Sequence, residues 1–147
     1  MTRRKNAPLD KSVVHLLQNI LLSAEDLFRS EMAASAIFTP RELAVLVTVA
    51  QSEGIIQMRI VERTGIDKTT LVYVLMRLEQ KGLVQRRAMD GRAKGVELTV
   101  EGRRALTTGQ PLAEKIERRI LSSLPKSERK RFIEHLQSIA HSLQELS

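Results

Sequence analysis

The chain has 147 residues, enough for one domain with a sizeable core, and its formal net charge of +7 and pI of about 10.2 favour a polyanionic partner. Cysteine is absent, which excludes disulfide staples, thiolate metal sites and thiol-based redox sensing. No apolar run is long enough for a membrane span, the basic start Met1–Lys5 has no signal-type apolar stretch behind it, and Phe28, Phe38, Phe132 and Tyr73 are too few for single-strand stacking platforms, so a cytoplasmic protein is expected.

Residues 1–10 read as a short basic arm, disordered and broken by Pro8. A long helix is predicted from Lys11 to about Ala34, with Val13, Leu17, Ile20, Leu21, Ala24, Leu27 and Phe28 as its apolar stripe. One helix cannot bury such a stripe alone, so it must pack on other helices, of this chain or another. Thr39-Pro40-Arg41-Glu42 is a helix start with a cap, a proline at the first helical position and a glutamate where a capping box needs it. Leu43, Leu46 and Val47 are expected to face inward, and Glu53-Gly54 to stop that helix. A short helix from about Gln57 to Thr64 follows, with Ile60 and Val61 inward and Gly65 as its stop.

Asp67 then caps the helix on which the rest of the chain depends, ending at Lys81-Gly82. Leu71, Val74, Leu75 and Leu78 form its apolar stripe, while Lys68, Thr69, Thr70, Tyr73 and Arg77 point elsewhere and none is acidic. A helix with one buried face and one face of hydroxyls and cations suits a DNA major groove, and the turn Gly65-Ile66-Asp67 has the size that joins a helix-turn-helix. After Gly82 the period changes to two. Leu83–Arg87 and Gly95–Leu98 read as paired strands around a tip, Ala88–Lys94, with Asp90-Gly91 as its turn. Thr99 caps a long helix to about Ser122, which Gly109-Gln110-Pro111 must kink or interrupt. After Pro125 a last helix carries Phe132, Leu136, Ile139, Ala140 and Leu143 on one face.

Three stretches in order make these elements specific: Ile66–Arg86, the tip Asp90-Gly91-Arg92, and Val96–Gly102. Together they resemble the MarR (multiple-antibiotic-resistance regulator) family, in which a recognition helix ends in Leu-Glu-x-x-Gly-Leu-Val and is followed by Asp-x-Arg and Leu-Thr-x-x-Gly. The resemblance implies a mainly helical fold with a small β-hairpin wing, in a single domain over 1–147. A winged helix-turn-helix lobe would occupy 39–99 and a helical dimerisation region 11–36 and 100–147. It implies a homodimeric regulator on double-stranded DNA, usually a repressor released by a small ligand. By position, Lys68, Thr69, Thr70 and Tyr73 would face base edges or phosphates and Arg77 the backbone. Arg92, steadied by Asp90, would enter the minor groove from the wing, where negative potential is focused. Arg86 and Lys94 add wing cations. Val72 and Tyr73 depart from the threonine and arginine common there, Val61 from the usual small residue, and Gly91 from a second wing arginine.

The resemblance also implies a pocket for a small anionic or aromatic effector between the dimer helices and the DNA-binding lobe; His15, Asn19 and Arg41 would reach it if the helices run as read here, and a carboxylate would suit Arg41 and His15. His15, His135 and His141 are too dispersed for a metal site, and Ser122-Ser123 and Thr107-Thr108 lack a base partner, so neither a cofactor nor an enzyme activity is expected. The alternatives are a sequence-indifferent architectural DNA-binding protein and a winged-helix module that binds only protein.

Overall fold

A computed structural model describes residues 9–88, 91 and 94–147. The expected arm at 1–8 and the wing residues Met89, Asp90, Arg92 and Ala93 lie outside the described residues. The first helix, α1, spans Val13–Glu31, and the His15 amide donates to the hydroxyl of its cap, Ser12. It stops short of the expected Ala34. A 3-10 turn at Ala33–Ser35 replaces its end, because the Ser35 hydroxyl donates to the Met32 carbonyl at 2.7 Å and accepts the Ile37 amide at 3.2 Å. Ala36 then takes the left-handed conformation, with φ +63°. Met32 and Ile37 on either side are fully buried and anchor this corner.

Helix α2 spans Pro40–Gln51. Its deepest residues are Val45, Leu46 and Val49, whereas Leu43 and Val47, expected to face inward, are only partly buried at the edge of the core. The buried face is rotated because Glu42 also turns inward, toward a cation described below. Residues Ile55–Ile56 form a strand, β1, that the sequence reading missed, since two residues show no alternation to detect. Helix α3 spans Gln57–Thr64 and α4 spans Lys68–Gln80. Strands β2 (Val84–Ala88) and β3 (Lys94–Leu98) pair antiparallel, Arg86 opposite Val96, and β1 adds to the far side of β3 with Ile55 opposite Val96. The expected hairpin is therefore part of a three-stranded sheet in the order β1-β3-β2.

Helix α5 runs unbroken over Val100–Ile120, so Pro111 does not interrupt it. Pro111 is exposed, and the carbonyl that its missing amide leaves unpaired can be hydrated. The preceding Gly109 has a packing role. A Cβ there would lie 2.9 Å from Ile37 Cδ1 and 3.0 Å from Met32 Cε, so glycine lets α5 approach the 33–37 corner. Gly102 likewise sits where a Cβ would collide with the Leu83 carbonyl. Glu31 ties α1 to α5 through Arg119 at 3.0 Å and Lys115 at 3.5 Å. After a 3-10 turn, Leu121–Ser123, helix α6 spans Lys126–Glu145 and buries no side chain. The core lies between α2, α3, α4, the sheet and the first half of α5, centred on Leu46, Ile60, Leu71, Leu75, Leu78 and Val96.

Gly102→Ala should destabilise the chain despite alanine's better helix propensity, because the Leu83 carbonyl that its Cβ would strike is backbone and cannot turn aside. Overpacking of a close backbone approach costs about 1–3 kcal/mol, against about 1 kcal/mol gained from propensity. Urea unfolding measures the balance. An alanine variant clearly more stable than the parent would refute the close approach of Gly102 to the Leu83 carbonyl.

Candidate nucleic-acid interface

The interface is built from the turn between α3 and α4. Gly65 takes φ +70° and its amide bonds to the Val61 carbonyl at 2.9 Å, closing α3 in the conformation that favours glycine. Asp67 then accepts two bonds from Thr70, from the hydroxyl at 2.6 Å and from the amide at 2.9 Å. The Thr70 hydroxyl, then its amide, hold the Asp67 carboxyl below the ordinary carboxylate range. The cap is thus charged at neutral pH, and its contribution to stability fades only as acid titrates the group through its lowered pKa.

Leu71, Val74, Leu75 and Leu78 are buried and fix the rotation of α4. The five side chains expected to meet DNA are then sorted by their surroundings. Lys68, Thr69 and Tyr73 stand open to solvent. Thr70 is half-buried and its hydroxyl proton is committed to Asp67. Arg77 turns sideways, with its guanidinium 5.9 Å from the centre of the Tyr73 ring and Nε 3.9 Å from Glu42 Oε1. On the wing, Arg86 pairs with Glu79 of α4 at 2.6 Å and Arg87 with Glu97 at 3.4 Å, while Lys94 is exposed. Gly91, with φ +97°, has a conformation natural to glycine.

Two features of this site escaped the sequence reading. Val72 and Met76 are exposed on the outer face of α4, beside Thr69 and Tyr73. The helical spacing that places Leu71 and Leu75 inward also places these two apolar side chains outward. The second is Glu42. It was expected to close a capping box with Thr39, and the Glu42 amide does bond to the Thr39 hydroxyl at 3.1 Å. Its carboxylate goes elsewhere, accepting the Phe38 amide at 2.7 Å and Lys81 Nζ at 2.9 Å through each oxygen. Lys81 also donates to the Ala36 carbonyl at 3.2 Å and lies 3.8 Å from the centre of the Phe38 ring. No pattern short of the fold brings positions 42 and 81 together.

The residues considered for an effector are not gathered within one chain. His15 and Asn19 bond to each other at 3.0 Å on α1, and Asn19 lines a groove shared with Leu16, Leu27 and Arg119. Arg41 lines a different cleft of about 320 Å³, bounded by α1, the start of α2 and the flank of α4. Arg29, Arg41 and Arg77 border that cleft together with Glu25, Phe38 and Tyr73.

Comparison with known proteins agrees with this geometry. The sequence profile of the MarR family matches residues 38–93, from the start of α2 to the wing tip. The chain is 33% identical over 98 residues to the transcriptional regulator HosA of Escherichia coli O157:H7, an alignment covering 65% of this chain and 73% of HosA. Among solved structures, a probable transcriptional regulator from Pseudomonas aeruginosa superposes with a TM-score of 0.81 at 28% identity, over 89% of this chain and 98% of that one. CouR from Rhodococcus jostii RHA1, bound to p-coumaroyl-CoA, superposes with a TM-score of 0.76 at 25% identity, over 90% of this chain and 94% of its own. With a three-stranded winged sheet behind a helix-turn-helix and a relative of this identity, the chain belongs to the MarR family of transcription regulators.

Proposed function

We propose that two copies of this chain form a cytoplasmic homodimer that represses transcription from a pseudo-palindromic operator and is released by a small anionic or aromatic effector. One observation carries the reading: α4 buries Leu71, Val74, Leu75 and Leu78 and holds Lys68, Thr69 and Tyr73 bare on the other side. A helix fixed from behind and open in front fits a major groove. Lys68 and Lys94 supply phosphate attraction, Thr69 and Tyr73 face base edges, and Thr70 contributes its remaining acceptor capacity. Arg77 and Arg86, held by Glu42 and Glu79, flank the groove walls. Asp90 and Arg92 at the tip follow the family pattern into the minor groove. The role is binding, with no catalytic step.

Dimerisation is supported by apolar faces left bare in the single chain. Leu17, Ile20 and Leu21 on α1 are 42–53% exposed, and Phe132, Leu136, Ile139 and Leu143 on α6 are 36–59% exposed. Faces of this extent need a partner surface. A second copy interlocking residues 11–36 and 100–147 would supply it, leaving 39–99 as the DNA-binding lobe. The two-fold axis would set two copies of α4 about 34 Å apart, one turn of DNA. Release by a ligand is supported by the cleft beside α4. Three guanidinium groups border it, of Arg29, Arg41 and Arg77, and Tyr73 gives it an aromatic wall. A carboxylate held there would engage the helix that reads DNA. CouR, a structural neighbour, is solved with p-coumaroyl-CoA bound, which supports a ligand of that aromatic kind here. His15 and Asn19 would join an effector site only if the dimer brings α1 of one copy to the cleft of the other.

Selection of genomic fragments by the purified protein, then measurement of affinity against random sequence, tests the reading. Specific affinity should exceed random by about 10³ or more. A ratio near one would point to a sequence-indifferent architectural protein. Two variants separate positioning from reading. Lys68→Ala should weaken binding to all sequences alike and lower the salt slope by about one charge. Tyr73→Ala should cost about 1–3 kcal/mol at one base pair and relax preference there. Competition over single-base operator variants at two salt concentrations decides between them, and the reverse pattern would overturn the assignment. Deleting residues 126–147 should leave an aggregated or unfolded protein; a soluble, well-folded monomer would refute the proposed interface.

A further inference from the structure

We propose that Val72 and Met76 read thymine methyl groups, so that this regulator selects its half-site partly by apolar contact in the major groove. The inference rests on α4 being the groove-entering element, as proposed above. With Leu71, Val74, Leu75 and Leu78 buried, the opposite ridge of α4 is Thr69, Val72, Tyr73, Met76 and Gln80, linked by three- and four-residue steps. Val72 is 44% exposed and Met76 46%. This ridge carries no guanidinium, ammonium or carboxylate. The commonest specific contact, arginine or lysine bidentate to guanine, is therefore not available from it. Arg77, the nearest arginine on the helix, is turned toward Glu42.

The chemistry that remains is two hydroxyl-bearing side chains, one amide at the far end, and two apolar groups between them. Of the features a base pair presents in the major groove, only the thymine C5-methyl complements an isopropyl or a thioether. The surroundings favour a nucleic acid over an apolar protein as the occupant. Lys68 is exposed at the start of the same helix and Lys94 on the wing strand β3, in a chain of net charge +7. Val72 and Met76 lie four residues apart, one helical turn, so they would touch neighbouring thymines, on one strand or across it, and not a single base.

Half-sites selected from random double-stranded DNA by the full-length protein provide the test. Each thymine of the selected half-site is replaced in turn by deoxyuridine, which keeps every hydrogen-bonding group and lacks only the methyl. One or two replacements should weaken binding of the parent protein about fourfold each, the factor that burial of one CH₂-sized group supplies. Val72→Ala should lose that sensitivity at one thymine and Met76→Ala at another, with both variants keeping the parent's thermal midpoint. Equal affinity for thymine and deoxyuridine throughout a selected half-site would overturn the inference and leave the groove reading intact. So would a deoxyuridine penalty unchanged in both variants. A protein that enriches no sequence at all would remove the groove reading with it.

Discussion

The position of the recognition helix depends on one buried carboxylate. Glu42 is 1% exposed and would be costly to bury unpaired. Its oxygens take the Phe38 amide and the Lys81 ammonium, with Arg77 beyond at 3.9 Å. Lys81 is the residue that closes α4, and it is also bonded to the Ala36 carbonyl and set against the Phe38 ring. The end of α4, the start of α2 and the left-handed corner at Ala36 are thereby one unit. That corner is packed in turn against Gly109 of α5 through Met32 and Ile37. A chain of contacts so runs from the long helices to the element that faces DNA.

This arrangement gives one end of α4 polar ties to distant parts of the chain that the other end does not share among the described residues. The C-terminal end is held by Lys81 and by the Arg86–Glu79 pair from the wing. The N-terminal end is capped locally by Asp67 and Thr70 and packed into the core through Leu71, and it carries Lys68 and Thr69 in the open. The cleft at Arg29, Arg41 and Arg77 lies along the same flank as the Glu42 joint. In the proposal above, an anion held in that cleft would lie against Arg77 and Tyr73 of the helix proposed to read DNA. Such coupling would need no long path, because α4 lines the cleft and is the helix proposed to enter the groove.

Much of this was legible in the sequence because it is written locally. Thr39, Asp67 and Thr99 cap helices where their side chains predicted, and Gly65 and Gly82 take the positive φ that a helix end favours. Leu71, Leu75 and Leu78 turn inward as their spacing requires. What was not legible depends on contacts distant along the chain. The β1 strand exists only because β3 pairs with it. Pro111 sits within an unbroken helix with its ring on the exposed side, a placement that only the packing of α5 decides. The shift of the α2 face from Leu43 and Val47 to Val45 and Val49 follows from Glu42 turning toward Lys81, across 39 positions of sequence. Of the predicted interface, the open positions Lys68, Thr69 and Tyr73 followed from helical period, whereas the side-chain bonds that engage Thr70, Arg77 and Arg86 did not.

A double-mutant cycle on Glu42→Gln and Lys81→Met, read by urea unfolding, tests most directly whether this joint holds the recognition helix. If the carboxylate and the ammonium are partners in a buried unit, each single substitution should cost about 2–4 kcal/mol, because it leaves the other group poorly compensated. The double variant should then cost little more than either single one, giving a coupling of about 1–3 kcal/mol. Single losses below about 0.5 kcal/mol, or two losses that simply add, would mean that α4 is positioned by apolar packing alone and would contradict the account.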